Sequence, residues 1–299
     1  MATLRICTRS IVLARSALPV LEQADAAKKH KGWFGGNKLD EASELYAQAA
    51  TGFKLQKNLQ AAAAAYVCQA DCCLRLGEKD EASSAYQSAS KALKKIDPAK
   101  AADTLAQAIL LLTERGRFQT AANNEKQLAE ICEMELEDYP RAVQAYETAA
   151  EWYRGEDSNA QANACLLKAA TLASQHTQAY DTAIAQFESV AQASLDNNLT
   201  KWSVREYLLK AGLCILCTGD LVRAHQAFDE RYPSWDVSFS GTREYKLLQD
   251  LLAMLESSDV EGFTSVIVDF DKMTKLDNWK TALLLRVKKS IVNEEMDFT

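Results

Sequence analysis

With 299 residues, 48% of them hydrophobic and 25% charged, the chain can bury the core of one or two domains, and its balance is that of a soluble globular protein, not a disordered one. Its 34 Lys and Arg against 41 Asp and Glu leave a formal charge of -7, which argues against general nucleic-acid binding, since that needs a dominant basic surface. Only 11 Gly and 4 Pro punctuate it, too few for the turns of a sandwich or barrel, whereas abundant Ala suits long helices joined by tight corners.

The first element is anomalous. Met1 to Leu21 holds Arg5, Arg9 and Arg15, no acid, and scattered hydroxyl and apolar side chains, the composition of a mitochondrial transit peptide. A variant first helix or a misassigned start codon also accounts for it, and Pro19 would interrupt a helix there. Residues 1–30 are taken as a variable N-terminal segment and first helix. Eight Cys without a secretory signal do not make a disulfide framework, so a reducing, cytoplasmic compartment is expected. The longest apolar stretches, such as Ala61 to Cys68, fall far short of a spanning helix.

Residues 31–232 carry a repeat of 20 or 21 residues: a small residue, a bulky one four later, and a small or apolar one after that. It reads Ala42/Tyr46/Ala49, Ala62/Tyr66/Ala70, Ala82/Tyr86/Ala89, Ala102/Ala106/Ile109 and Ala122/Lys126/Ala129. It continues through Ala142/Tyr146/Ala149, Ala162/Leu166/Ala169, Ala183/Phe187/Val190, Val204/Leu208/Ala211 and Ala224/Phe228/Arg231. Offsets of 0, 4 and 7 share one helical face, so each unit is an amphipathic helix whose small residue admits a close neighbour. Turn signals such as Lys57-Asn58, Gly77-Glu78, Asp97-Pro98 and Gly219-Asp220 fall between units. Short corners make consecutive helices antiparallel neighbours, and helix pairs of about 40 residues that stack on one another are the signature of a tetratricopeptide-like solenoid.

Beyond Tyr232 the register is lost. Pro233 to Gly241 reads as a longer corner, followed by helices near 243–255, 260–272 and 278–292, so residues 233–292 are expected as a C-terminal helical bundle closing the stack. Residues 293–299 are an acidic tail.

Catalytic constellations fail. His30, His176 and His225 stand apart, and Cys214 and Cys217 form a lone Cys-x-x-Cys that reads as buried thiols along with Cys68, Cys72 and Cys73. Gly32, Gly35 and Gly36 lack the Lys-Ser/Thr of a phosphate loop. No enzyme, metal or cofactor is implied.

Four features remain, one of them a strongly amphipathic last helix from Asp277-Asn278-Trp279 through Arg286-Val287-Lys288-Lys289 that leads to the tail. Lys28, Lys29 and Lys31 precede Trp33 and Phe34 in a glycine-rich corner, the composition of a shallow insertion into an anionic membrane, with folding back as a cap the alternative. Basic residues recur near helix ends at Lys94, Lys95, Arg115, Arg117, Lys168, Lys201, Arg205, Arg243 and Lys246, where a solenoid could present them as a row to an acidic partner. Finally, Glu294, Glu295 and Asp297 surround Met296 and Phe298, a docking tail or a frayed end.

The Gly32 to Gly36 corner, the run Glu41 to Lys54, Leu93 to Pro98, Gly116-Arg117-Phe118, Gly155 to Ala160, Cys165-Leu166-Leu167-Lys168 and Leu284 to Lys289, in this order and spacing, resemble the soluble NSF attachment proteins of the alpha type. The resemblance covers nearly the whole chain from about Ala24. It implies an all-α fold, a right-handed tetratricopeptide-like solenoid forming a twisted sheet of antiparallel helical hairpins, with a C-terminal bundle. It implies a non-catalytic adaptor that coats the four-helix SNARE bundle and recruits the hexameric ATPase N-ethylmaleimide-sensitive factor, peripheral on the cytosolic face of vesicle, Golgi, vacuolar or plasma membranes.

By the same resemblance, Lys94, Lys95, Arg117, Lys168, Lys201, Arg205 and Arg243 would face the SNARE bundle. Lys28, Lys29, Lys31, Trp33 and Phe34 would touch lipid, and Glu256, Glu294, Glu295, Asp297 and Phe298 the ATPase. Asn123 and Ala164 stand where alpha-type relatives usually carry Lys, Phe298 replaces a Leu, and Ala253 and Ser257 replace acidic neighbours of Glu256. These departures suggest weaker or differently shaped contacts. A second expectation, supported by the odd N-terminus, is a tetratricopeptide-like scaffold for a peptide partner in an organelle.

Overall fold

The computed structural model describes residues 17–29 and 36–297, and these are helical throughout apart from their corners. Contacts group them into two compact units, divided after Ala162. The partition expected at 232/233 rests on another criterion, the loss of the Ala register.

The first unit strings together α1 (Ala17–Lys29), α2 (Gly36–Leu55), α3 (Leu59–Leu76), α4 (Lys79–Leu93), α5 (Pro98–Glu114), α6 (Phe118–Met134) and α7 (Tyr139–Gly155). Each packs on the next. The small residues explain how. The first register position, from Ala42 to Ala224, is at most 1% exposed in every unit of the repeat, and the third is buried in every unit but the last. A methyl group at those points lets neighbouring helix backbones approach, while bulkier Tyr46 and Tyr146 fill the space beside them.

Corners are set by capping. Asp97 accepts the Lys100 amide at 3.1 Å with Pro98 preset for the first turn of α5, and Asn58 caps α3 through the Ala61 amide. Gly77 ends α3 in the left-handed region at φ 84°, and Lys57, Glu137 and Asp157 adopt that region without the freedom of glycine. A Cβ on Gly77 would meet nothing within 4 Å, so Gly77→Ala isolates the conformational cost. It is expected to remove about 1 kcal/mol, read as a lower urea midpoint at unchanged m.

The second unit holds most of α8 (Asn159–Leu172), whose end widens into a π-helical turn at Ala173–Thr177, then α9 (Tyr180–Leu195) and α10 (Val204–Thr218). A short α11 (Leu221–His225) runs into a second π-helical turn, Gln226–Arg231, and α12 (Tyr232–Trp235). The longer corner expected from Pro233 to Gly241 is folded into short helical turns around an aromatic cluster. Tyr232 and Phe239 are fully buried, their rings edge to face at 6.2 Å. Then come α13 (Arg243–Glu256), α14 (Val260–Met273) and α15 (Asn278–Asp297), so the last helix continues into the segment expected as tail. The hydrophobic α10, with Leu208, Leu209, Leu213 and Ile215 buried, packs against both α13 and α15.

Two side chains tie α15 to the first π-helical turn. The indole nitrogen of Trp279 donates to Ser174 Oγ at 3.1 Å and to the Thr171 carbonyl at 3.2 Å, and its ring meets Phe187 edge-on at 5.8 Å. The Arg286 guanidinium donates to the Ser174 carbonyl at 2.7 Å and to the Gln175 carbonyl. A π-helical turn shifts carbonyls out of the ordinary α ladder. Arg286 supplies two of them with a planar pair of donors.

Candidate partner-binding surface

In the first unit, Lys94 lies half-buried just past the end of α4 and Lys95 is exposed beside it. Arg117 opens α6 and its guanidinium stands 3.1 Å from Asp80 Oδ1, with Arg115 3.5 Å from the other oxygen. Asp80 belongs to the first turn of α4, so Arg117 and the Lys94–Lys95 pair flank opposite ends of that helix, about 20 Å apart along its axis. Arg117 also shares its charge with a carboxylate. The cations of this unit are two separate points, not one row.

The second unit gathers its cations more closely. Lys201 Nζ lies 5.5 Å from the centre of the Trp202 ring, and Arg205 Nε is 3.9 Å from Glu244 Oε1, next in sequence to Arg243 at the start of α13. Lys201, Arg205 and Arg243 therefore converge where α10 and α13 begin. Lys168 occupies the exposed face of α8. Two side chains missed by the sequence reading sit here: Trp202, 73% exposed, and Leu199, 90% exposed. Large apolar residues read as core in a helical pattern, and the one signal that could have placed them in a corner is the run Asp196-Asn197-Asn198 just upstream, residue types that favour turns. An exposed aromatic among cations is the composition of an energetic anchor in a protein interface.

Elsewhere the structure redistributes the expected residues. Lys28 is committed to its own unit: Nζ is 2.8 Å from Asp71 Oδ2 and lies over the Tyr46 ring, and the hydrogen bond to Asp71 raises its pKa. Lys29 is exposed at the end of α1, while Lys31, Trp33 and Phe34 lie outside the described residues. The backbone of Glu294, Glu295 and Asp297 is helical; Phe298 lies outside the described residues. Glu256 ends α13 with Oε1 2.6 Å from His225 Nε2. Ala164 is exposed on α8. Asn123 accepts a hydrogen bond from the buried Tyr153 hydroxyl at 2.6 Å, a duty that a Lys in its place could not perform.

The Cys-x-x-Cys pair is not chemically poised. Burial pushes the Cys214 thiol far above its ordinary range and the Cys217 thiol up to about 12, and Cys217 donates to the Leu283 carbonyl. Both stay protonated, whereas the thiolate is the form that attacks or binds metal.

The chain matches the family model described as soluble NSF attachment protein over residues 16–292. It is 46% identical to the probable vesicular-fusion protein sec17 homolog of Schizosaccharomyces pombe, over 92% of this chain and 96% of that protein. It is 42% identical to the alpha-soluble NSF attachment protein of Vitis vinifera, over 91% and 93%, and 39% identical to that of Mus musculus, over 94% and 96%. Among solved structures, BtubC from P. vanneervenii aligns at a TM-score of 0.40 and 16% identity over 77% of this chain and 93% of that one. A family match over this much of the chain, together with relatives 39 to 46% identical along nearly their whole length, means that the chain belongs to the soluble NSF attachment protein family.

Proposed function

We propose that this chain is a non-catalytic adaptor that binds assembled SNARE complexes on membranes and recruits and stimulates the hexameric N-ethylmaleimide-sensitive factor, which then disassembles them. Family membership supports the role. The observation that carries the binding mode is the exposed Trp202 with Lys201 over its ring, in a corner where Arg205 and Arg243 stand at the starts of α10 and α13. Such a patch suits the acidic flank of a syntaxin-type four-helix bundle, with charge steering the encounter and Trp202 supplying the anchor. Contacts of this kind are individually weak and salt-sensitive, so several adaptor copies on one bundle would act together and still release it afterwards.

Among the described residues no helix is long and apolar enough to cross a membrane. Attachment to the cytosolic face of vesicle, Golgi, vacuolar or plasma membranes is assigned to Lys29, Lys31, Trp33 and Phe34, with anionic lipid as the partner. Glu256 and the tail residues Glu294, Glu295, Asp297 and Phe298 are assigned to the ATPase. The organelle-scaffold reading has no comparable support, because the relatives are named for vesicular fusion and NSF attachment.

The test is ATP-dependent disassembly of a preformed SNARE bundle by the ATPase with and without this protein. Stimulation is expected; none from a folded preparation would reject the adaptor role. Trp202→Ala is expected to weaken bundle binding about tenfold with an unchanged Tm, because its ring is exposed. Lys94→Glu combined with Lys95→Glu should weaken it in a way that added salt abolishes. Unchanged binding in both variants at physiological salt would reject the surface.

A further inference from the structure

His225 ends α11, where the helix runs on into the π-helical turn Gln226–Arg231. Its two ring nitrogens face two carboxylates. Nδ1 lies 2.8 Å from Asp229 Oδ2, one turn ahead on the same segment, and Nε2 lies 2.6 Å from Glu256 Oε1 at the end of α13. Only an imidazolium donates from both nitrogens, so this geometry describes the protonated ring.

The surroundings make the two carboxylates unequal. Asp229 is also fixed by Gln249 Nε2, which donates to Oδ1 at 2.6 Å and is steadied by the Tyr245 hydroxyl at 3.1 Å. The cations nearest in sequence are occupied elsewhere: Arg223 by Asp181 and Arg231 by Glu188. Glu256, by contrast, is about half exposed, and His225 is the partner that holds it. When the ring loses its proton, the remaining N–H serves the better-fixed Asp229. Nε2 then turns a lone pair toward Glu256, and that contact becomes repulsive.

We propose that His225 is a positioning residue for Glu256 that makes recruitment of the ATPase pH-dependent: protonated, it occupies the Glu256 carboxylate, and neutral, it releases that carboxylate to a cationic side chain of the ATPase. The proposal rests on the assignment of Glu256 to the ATPase. Hydrogen bonding to Glu256 and then to Asp229 raises the His225 pKa above its ordinary value, so the ring holds its proton to a higher pH than a free imidazole does. A rise in pH through that value frees Glu256 and strengthens recruitment; a fall masks it.

Recruitment of nucleotide-locked, non-hydrolysing ATPase to the full-length adaptor on a preformed SNARE bundle tests this, compared at about pH 6 and pH 8. The ATPase and the bundle contribute their own pH dependence equally to every variant, so the readout is each variant's ratio of affinities. The wild-type ratio is expected to exceed that of His225→Gln, which keeps a neutral donor and cannot titrate, by about threefold. Equal ratios would overturn the proposal. Glu256→Gln separates the layers: if it binds the ATPase like wild type at about pH 8, the ATPase assignment of Glu256 is wrong, whereas weakened binding beside equal ratios rejects only the role of His225. NMR titration adds a readout free of any partner, since the chain has three His. Glu256→Gln should lower the His225 pKa, and an unmoved titration would reject the contact itself.

Discussion

Trp279→Ala is expected to destabilise the protein by about 3 to 5 kcal/mol and to lower Tm by roughly 10 °C. The ring is 7% exposed, its nitrogen serves Ser174 and the Thr171 carbonyl, and its π face lies 5.4 Å below the Lys210 ammonium. Truncation leaves a cavity against Phe187 and strips a donor from the π-helical turn. Trp279→Phe should recover much of the packing and none of the hydrogen bonding. Lys280, buried next door and paired with Glu206 at 2.6 Å and Asp277 at 3.0 Å, would keep the start of α15 near α10. The loss should therefore appear first as local opening of the last helix, with ATPase stimulation falling further than bundle binding. Calorimetry and the disassembly assay, run on the same variants, check both parts. A Tm within 2 °C of wild type for Trp279→Ala, read at a precision of about 1 °C, would mean that α15 does not depend on this anchor.

Glu125→Gln is expected to stabilise the protein at alkaline pH and to do nothing at acid pH. Burial in α6 pushes the Glu125 carboxyl from its ordinary 4.5 up to about 7, opposed by the charge of Arg141, whose guanidinium also stands 3.7 Å from Asp103. The sign follows from linkage. Between these values the folded state holds a proton that the unfolded state has lost, so stability falls as pH rises through about 4.5 to 7 and levels off above. Gln keeps the shape without the charge. Discounted for partial exposure, the gain is on the order of 2 kcal/mol at about pH 8 and vanishes near pH 4. Urea midpoints across that range decide it, and a constant difference between the two proteins would show that Glu125 is not titrating in the folded state.

Much of the fold could be read before any coordinates because its signal is local and repeated. Every small residue from Ala42 to Ala224 is buried where the register puts it, and Asp97-Pro98 caps α5 as its chemistry requires. What escaped the sequence depends on distance along the chain. Arg286 meets Ser174 across 112 residues, and a helical pattern assigns an arginine to solvent. Spacing placed Lys94 and Arg117 in one series, but antiparallel packing put them at opposite ends of α4 and gave Arg117 to Asp80. Lys28 belonged to a basic run by composition, whereas Asp71 and Tyr46 hold it in place. In the other direction, Trp202 drew no notice, because nothing in the sequence tells an aromatic that fills a groove from one left outside it. The two π-helical turns left no mark in the pattern, since they follow good helix-forming residues and are set by what α15 and α13 pack against.

The continuity of α15 has a mechanical consequence. Among the residues whose burial is described, its last buried side chain is Ile291, and the helical backbone carries on six residues to Asp297, about 9 Å further along the axis. A pull applied at that end by a force-generating partner is not absorbed by uncoiling of a slack linker. It is delivered lengthwise to Arg286 and Trp279, and through them to the carbonyls of Thr171, Ser174 and Gln175. These bonds would be loaded in parallel, in shear, an arrangement that resists far more force than bonds opened one after another, so the last helix can serve as a tether as well as a contact.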